Sequence, residues 1–522
     1  MRSFFLLALP LIGACSPSAY RADADHDVSQ ILAEKEAERG TNEPQPVRPA
    51  QVPPPPAPGE GPVAPEPETR RLKLREALAE AVQGNRNYKS ERESVYLSAL
   101  ALTGVRWNLL TPRFRSTIAA LMADRNGLEP TTSQSGLVGV DQVLPLGGTL
   151  SAQASSSIFQ DSNRGVEHPN TISSAASIVW NQPLLRGFGW EVSHEALTQA
   201  ERDVVYALRE FELFRQDFTI QVMASFYNLV RERQILVNSE ANLDQLRYLR
   251  RQAEALFNIG RQPQLEVLRA RQSELQAEND VVDARQAYQS SLDNFKILLG
   301  LATDARVDVA DESPAFVPVQ YDVRSSVETA LGNRLELLTA RDRLEDQRRA
   351  VRIARQALRP DLNLTTAYNV TTDPEPNFGL QSFSSRELTA GLRLDLPLDR
   401  RSERNAYRSS LISLDREQRS FDLLRDEVSR GVRETFRRLR RAEATVRIQE
   451  EIIQSEERRV RIAEIQFQAG QIPNRDVVEA RQRLLDSRNA YVNSLVTYEI
   501  ARVQLQRDLG LLELDEQGMW RT

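Results

Sequence analysis

The residues that most often carry catalysis or bind metals are few and widely spaced in this chain. Its 522 residues include three histidines, His26, His168 and His194, and a single cysteine, Cys15. They match none of the spacings that bind zinc, activate a serine nucleophile or hold a phosphate in a glycine-rich loop. We therefore expect no enzyme, no metal site and no organic cofactor. One cysteine also excludes an intrachain disulfide framework.

Cys15 is better placed for covalent modification. Arg2 precedes an apolar run, FFLLALPLI (4–12), which is too short to span a bilayer as a helix. Small residues then lead to Cys15. Residues 1–14 thus resemble the signal peptide of a bacterial lipoprotein, which implies a covalent lipid on Cys15 and, with Ser16 next, retention at the outer membrane. The alternative is an ordinary secretory signal with an incidental cysteine.

The segment 15–71 is predicted to be a lipidated N-terminus followed by a linker. Its stretch PQPVRPAQVPPPPAPGEGPVAPEPE is proline-rich, so we expect residues 16–70 to be extended and unpacked. The rest of the chain is rich in Arg, Glu, Leu and Ala, as in long helices and coiled coils. A net charge of −6 with interleaved signs does not indicate a nucleic-acid partner. Since no run of 18 apolar residues follows, any membrane-spanning part must consist of strands.

One sequence motif occurs twice in the chain. LFNIGRQPQLEVLRARQ (256–272) and IQFQAGQIPNRDVVEARQ (465–482) share seven residues at an offset of 210. The triplet Gly-Asn-Arg at 84–86 recurs at 332–334, an offset of 248. We infer a tandem duplication with copies at 72–301 and 320–511, joined by a linker (302–319) and followed by a tail (512–522). The first copy holds 34 extra residues, and the sequence leaves open whether they add strands.

Each copy is predicted to run helix, strands, very long helix, tight turn, helix. The helices are expected at 72–110, 190–258 and 263–299, and again at 326–358, 401–469 and 473–509. The long helices show heptad-like apolar spacing, which is typical of packed coiled coils. Gly260 and Gly470 stand where a helix ends in a left-handed residue. Pro263 and Pro473 stand where the next helix begins, so each turn is the tip of a helical hairpin.

Strands are predicted between these helices, at 113–123, 172–182, 361–370 and 388–396. Apolar and polar side chains alternate there, as they also do at 150–158. An apolar face opposite a charged face fits a barrel wall with lipid outside and water inside. It fits a soluble sandwich equally well, so the alternation alone does not separate the two.

The order of these features resembles that of the TolC-like outer-membrane efflux proteins, including outer membrane factor lipoproteins. The resemblance rests on the duplicated layout, the tip motifs, NQPLLRGFG (181–189) and LDLPLDRRSERNAY (394–407). It implies an α+β membrane protein with a long α-helical coiled-coil barrel and a transmembrane β-barrel. A homotrimer would share both, with four strands from each protomer. Four strands alone leave open edges, which lipid does not tolerate.

The resemblance also implies a function and a location. The protein would be a passive exit duct, carrying small molecules from an inner-membrane pump of RND or ABC type and a periplasmic adaptor protein to the exterior. It would be lipid-anchored in the outer membrane and extend into the periplasm. One alternative is the outer-membrane channel of a type I protein secretion system. Another is a poreless, lipid-anchored coiled-coil scaffold. The sequence does not identify the cargo, the pump class or the resting state of the gate.

The tips are the implied functional site. Acidic residues there would narrow the periplasmic mouth, at Asp476 and Glu479 in the second copy and Glu266 in the first. Because Arg269 stands at the position of Glu479 in the first copy, the composition of this ring stays open. A carboxylate in the first turn of a helix is also favoured by the helix dipole alone. The residues implied to contact the adaptor are Gly260, Arg261, Gln262, Pro263, Gly470, Gln471, Pro473 and Asn474. Polar residues are, however, expected at any hairpin tip.

Overall fold

The structure is a computed structural model that describes residues 17–38, 70–123, 131–161, 170–319, 321–377, 381–396, 398–469, 471–515 and 517–520. Cys15, Gly470 and the proline-rich stretch lie outside these residues. The chain divides into two compact units. Unit 1 comprises residues 1–48, 95–208 and 339–421, and unit 2 comprises residues 49–94, 209–338 and 422–522. No helix in the described ranges is long and apolar enough to cross a bilayer.

Helices make up most of the described chain. They are α1 (Pro17–Glu38), α2 (Leu74–Gly84), α3 (Arg86–Leu110), α4 (Trp190–Ser193), α5 (Glu195–Asn258), α6 (Gln264–Leu299), α7 (Val323–Asn333), α8 (Leu335–Gln356), α9 (Arg401–Gln468) and α10 (Asn474–Asp508). The strands are β1 (Arg70–Leu72), β2 (Arg113–Ala123), β3 (Thr131–Val143), β4 (Thr149–Asp161), β5 (Asn170–Pro183), β6 (Val307–Val309), β7 (Asp361–Thr371) and β8 (Ser385–Asp395). The very long helices and the return helices are confirmed to within a few residues.

Unit 1 contains one antiparallel sheet with the strand order β2-β3-β4-β5-β7-β8. Every strand pairs with its neighbour over at least nine residues in an unbroken register. The strands connect as hairpins, except that β5 and β7 are joined through the long excursion of the chain between residues 183 and 361. The alternating pattern places apolar side chains on one face and polar side chains on the other.

The sheet has six strands, where the family resemblance implied four and the sequence left open whether the 34 extra residues add strands. The two additional strands, β3 and β4, are contributed by the longer first copy. Their sequences, such as TTSQSGLVGV and LSAQASSSI, are rich in Ser and Gly, which weakens the signal of a strand in sequence. Pairing on both sides fixes them in place, because each extends a ladder that β2 and β5 begin.

Residues 16–70 were predicted to be extended, and this prediction is wrong for the first part of the segment. Residues 17–38 form α1, and Val28, Ile31, Leu32 and Lys35 are buried on one side of it. These positions follow the spacing of a helix face packed on a core. The prediction assumed that the whole segment has the same composition, but the prolines cluster only after residue 43.

The repeated triplet Gly-Asn-Arg marks a break in each copy rather than the middle of a helix. Asn85 is extended, so α2 ends and α3 begins there instead of forming one helix over 72–110. Its side chain donates to the carbonyl of Leu298 at 2.7 Å and accepts the N–H of Tyr88 at 2.9 Å. The first contact ties the break to the end of α6, and the second caps α3.

Gly300 ends α6 at this break with a left-handed φ of +75°. A Cβ on Gly300 would collide with the carbonyl of Gly84. In the second copy Gly510, at φ +69°, would bring a Cβ within 3.0 Å of Asn333. The same close approach of two backbones therefore recurs in both copies and requires glycine at both positions.

Candidate functional site at the paired helical turns

The turn between α5 and α6 has the geometry that its sequence predicts. Gly260 is left-handed, with φ +74°, and its N–H donates to the carbonyl of Phe257 at 2.8 Å. The N–H of Arg261 donates to the carbonyl of Leu256 at 2.9 Å. These two bonds close the end of a helix as a Schellman motif. Pro263 then precedes the first residue of α6, where a missing N–H costs nothing.

The turn between α9 and α10 is built in the same way. The N–H of Gln471 donates to the carbonyl of Gln466 at 2.9 Å, the counterpart of the Arg261 bond. Pro473 is extended at φ −74° and precedes the first residue of α10. The duplicated motif therefore encodes a duplicated turn.

Both turns belong to one end of unit 2. A single apolar core there draws side chains from α5, α6, α9 and α10, namely Leu243, Leu246, Leu249, Ala277, Val281, Val460, Ala463, Phe467, Val477 and Ala480. Ile472, within the second turn, packs against the same core. A shared core fixes the two turns side by side, so residues from both are available to one site.

Asp476 and Glu479, in the first turns of α10, face solvent. The Asp476 side chain is 38% exposed and lies 3.4 Å from the guanidinium of Arg475. The Glu479 side chain is 48% exposed and lies 2.7 Å from Arg483 and 3.7 Å from Arg459. Each carboxylate thus has a cation beside it, which reduces the net negative field at this end.

Glu266 differs from its counterpart Asp476. The residue is only 8% exposed, and its carboxylate accepts a bond from Arg269 at 2.8 Å. Its second carboxylate oxygen receives no hydrogen bond from the described residues. The two copies therefore place corresponding carboxylates in different environments, one turned into the protein and one turned outward.

The predicted adaptor contacts also divide by exposure. Gly260, Arg261 and Pro263 are exposed in the first turn, and Gln471 and Pro473 are exposed in the second. Gln262 is half-buried. Asn474 was expected among the exposed polar positions, but it is the first residue of α10 and only 1% exposed.

The sequence profile of the outer membrane efflux protein family matches residues 119–301 and 326–511. The two matched stretches cover well over half of the chain. The chain belongs to this family. The two matches also establish that this efflux protein is internally duplicated. Among curated proteins, none is significantly similar to it in sequence.

Solved structures share the fold of this efflux protein at low sequence identity. The CmeC outer membrane channel of Campylobacter jejuni matches with a TM-score of 0.63 and 16% identity, over 84% of this chain and 85% of that one. The outer membrane protein VceC of Vibrio cholerae matches with 0.62 and 15%, over 84% and 96%. The open state of the MtrE outer membrane channel of Neisseria gonorrhoeae matches with 0.59 and 11%, over 86% and 94%.

Sequence reasoning missed a second feature of this end of the efflux protein. Exposed apolar side chains follow α6 at Leu265, Leu268, Leu275 and Val282. We name these residues the α6 stripe. A matching α9 stripe comprises Ile448, Ile452, Ile462 and Ile465. The heptad spacing of Leu268, Leu275 and Val282 was visible in the sequence, but only the structure shows that this spacing faces solvent.

Proposed function

We propose that this efflux protein forms a homotrimeric, passive exit duct in the outer membrane. It would receive small molecules from an inner-membrane pump, of RND or ABC type, through a periplasmic adaptor protein. The observation that carries the proposal is the pair of apolar stripes, because exposed apolar side chains that line up along a helix mark a surface that binds another protein.

The two stripes have the properties of two sides of one interface. The α6 stripe begins next to the first turn and spans 18 residues, or 17 steps, and the α9 stripe also spans 18 residues and ends three residues before the end of α9. Each covers roughly 26 Å at 1.5 Å per residue. Packing the α6 stripe of one copy on the α9 stripe of the next is a head-to-tail contact, which closes into a ring when the rotation between successive copies is a whole fraction of a turn. Three copies would close the ring implied by the family resemblance.

The carboxylates near the turns would then line the mouth of the duct. We propose that Asp476 and Glu479 form the main part of an acidic ring, since both are exposed. Glu266 would lie beside the mouth and remain paired with Arg269, and it would contribute to the acidic ring from that position. The adaptor would contact the exposed turn residues Gly260, Arg261, Pro263, Gln471 and Pro473, with Gln262 and Gly470 between them.

The sheet of unit 1 would be the membrane-spanning part, with its apolar face toward lipid. A lipid on Cys15, exposed after removal of residues 1–14, would add a second attachment to the outer membrane. The copies would be bounded as predicted, at 72–301 and 320–511. None of these assignments requires catalysis, and the proposed role is conduction alone.

The proposal is tested with the full-length protein extracted from outer membranes in detergent. Native mass spectrometry should give three chains, and the same sample should conduct ions across a planar bilayer. Host cells that lack the protein should retain a fluorescent pump substrate, and the wild-type protein should restore its export. A monomer without conductance would refute the duct and favour the poreless scaffold. If the protein conducts ions, but cells that lack it export the dye normally and fail to release a secreted protein, type I secretion would be favoured.

A further inference from the structure

The β3–β4 hairpin shares both faces of the sheet with the strands that flank it. Val138 of β3 lies opposite Ser116 of β2 and Ala154 of β4, and Ala154 lies opposite Ala176 of β5. The apolar face formed in this way includes Phe114, Ile118, Val138, Val140, Ala152, Ala154, Ala176, Ile178, Tyr368, Val370, Leu388 and Leu392. It crosses all six strands without interruption at the hairpin.

The opposite face of the hairpin is polar and is linked to its neighbours. The guanidinium of Arg115 on β2 lies 3.2 Å from the carboxylate of Asp141 on β3 and donates to Gln153 on β4 at 3.0 Å. The hydroxyl of Ser151 donates to Asp141 at 2.7 Å. A strand in the wall of a membrane barrel needs one apolar face and one polar face. A hairpin that lay outside the wall would not need this separation.

The two outermost strands are matched to each other. β2 and β8 each have eleven residues, and neither has a partner on its outer side among the described residues. Five antiparallel pairings separate them, so they run in opposite directions. An unpaired edge cannot remain in lipid, because each unsatisfied backbone group costs several kcal/mol there.

The register within the sheet, together with full pairing of the two eleven-residue edge strands, gives the stagger of such a wall. The ladder that starts at Arg113 crosses the sheet through Asp141, Ser151, Val179, Ala367 and Thr389. Thr389 stands six residues before Asp395, the last residue of β8. If Arg113 of the next copy faces Asp395, the stagger is six residues for the six strands of each copy. A stagger equal to the strand number tilts strands by about 36°, which is an ordinary tilt for a closed barrel.

We propose that the β3–β4 hairpin is part of the membrane wall, and that β8 of each copy pairs with β2 of the next. With the three copies of the proposed function, on which this inference rests, the wall has three times six strands, or eighteen. Strands about 4.8 Å apart with this tilt of about 36° give a wall roughly 34 Å across for eighteen strands and roughly 23 Å for twelve. The outer part of this duct therefore admits wider cargo than a twelve-stranded wall does.

The edge pairing is tested by cross-linking in outer membranes. In the register above, Ala119 of one copy faces Thr389 of the next, and both lie on the polar face. The double variant Ala119→Cys with Thr389→Cys should form a covalent trimer under oxidation, and a reductant should dissolve it. Within one chain the two positions are five strand spacings apart, about 24 Å, which is too far for a disulfide. The control, Ala119→Cys with Leu388→Cys, places the thiols on opposite faces and should not cross-link. The single variants report any contribution of Cys15.

The place of the hairpin is tested with neighbouring residues of β3. Leu137→Cys, on the polar face, should react with a membrane-impermeant maleimide that enters the duct. Val138→Cys, on the apolar face, should react only after denaturation. A trimer without the cross-link, in which both cysteines react alike, would overturn the eighteen-stranded wall but leave the proposed function standing. A protein that is not a trimer would overturn both.

Discussion

Glu266 and Asp476 occupy corresponding positions of the two repeated turns, but their side chains have different surroundings. Asp476 and Glu479 lie in solvent beside arginines, whereas Glu266 is turned into the protein. Sequence spacing predicted the turn glycine and proline, because their backbone requirements are local. It could not predict the burial of Glu266 or Asn474, since burial depends on how α6 and α10 are rotated about the shared core.

At this scale we expect ion selectivity to depend mainly on the exposed pair. The double variant Asp476→Asn with Glu479→Gln should lower the preference for cations by at least about fivefold, because each exposed charge a few ångströms from an ion in water contributes about 1 kcal/mol and the variant removes two such charges from every copy. The reversal potential across a planar bilayer measures this preference. Glu266→Gln should change it less. Unaltered selectivity in the double variant would refute the acidic ring.

Gly300 should be far less replaceable than a glycine inside a helix. Gly300→Ala must adopt a left-handed backbone, which costs about 1–2 kcal/mol, and its Cβ must also push the Gly84 carbonyl away. We expect a loss of at least about 2 kcal/mol in the free energy of unfolding, measured by denaturant titration of the helical circular dichroism signal.

The matched control is Gly431→Ala in α9, where an added Cβ meets nothing within 4 Å. Alanine is favoured over glycine in a helix by about 1 kcal/mol. Equal stability of the two variants would contradict the close approach of the backbones at Gly300.

At the scale of elements, the helices and the four strands that flank them were predictable, whereas the inserted strands were signalled only in part, by the alternation at 150–158. The predicted 113–123 coincides with β2, because its large side chains alternate clearly. β3 and β4 carry many Ser and Gly residues, so their pairing partners, rather than their own propensities, determine their structure. Breaks at Asn85 and at Arg334 escaped prediction because each depends on the return helix that meets it.

A buried polar cluster joins α5 and α8 in unit 1. Arg349 binds Glu195 at 2.9 Å and Asp346 at 2.8 Å. The hydroxyl of Tyr206 donates to Asp346 at 2.5 Å. Burial, reinforced by this bond to Asp346, raises the pKa of Tyr206 to about 12, so the phenol stays protonated at any physiological pH.

Removing the central cation of this cluster should destabilise unit 1. Arg349→Met would leave Glu195 without its cation and Asp346 with Arg202 alone, which lies 2.9 Å from it. Because one cation remains and Glu195 is partly exposed, we expect a cost below the value of about 3–5 kcal/mol that is typical for the loss of one member of a buried pair. Arg348→Met is the adjacent control, because Arg348 pairs with Glu345 at the exposed surface, where ion pairs contribute about 0–1 kcal/mol. Thermal unfolding of both variants, followed by circular dichroism, compares them. Similar midpoints would show that the cluster does not stabilise the unit.

At the scale of the whole molecule, family membership establishes the class of protein, and the exposed α6 and α9 stripes are the surfaces proposed to join copies. The sequence predicted an assembly from the need to close a sheet. It did not locate the contact surfaces, because exposed and buried heptads look alike in sequence. The α6 and α9 stripes became visible only when their neighbours were known.

We expect one charge in the α6 stripe to weaken the assembly. Leu268→Glu would place a carboxylate in the apolar interface, and burying an unpaired charge is strongly unfavourable. The fraction of trimer in native mass spectra should fall, with the helical content retained. Ala287→Glu adds the same charge to an exposed position of α6 outside the stripe, and the trimer should persist. If both variants remain trimers, the stripe is not an interface between copies.

The direction of α1 has a consequence for the lipid proposed on Cys15. The carboxylate of Asp25 binds Tyr96, and that of Glu34 binds Arg106 at 3.1 Å, so α1 runs parallel to α3, toward the start of β2. The first residue of α1 therefore lies about 38 Å from the sheet, counted along the two helices at 1.5 Å per residue.

Cys15 precedes that first residue by two positions, a reach of about 7 Å. A lipid in the leaflet beside the sheet and a docked α1 thus exclude each other. Acylation would therefore pull α1 from α3 and expose Val28, Ile31 and Leu32, which are buried when α1 is docked. In an unacylated chain, α1 would stay docked on α3.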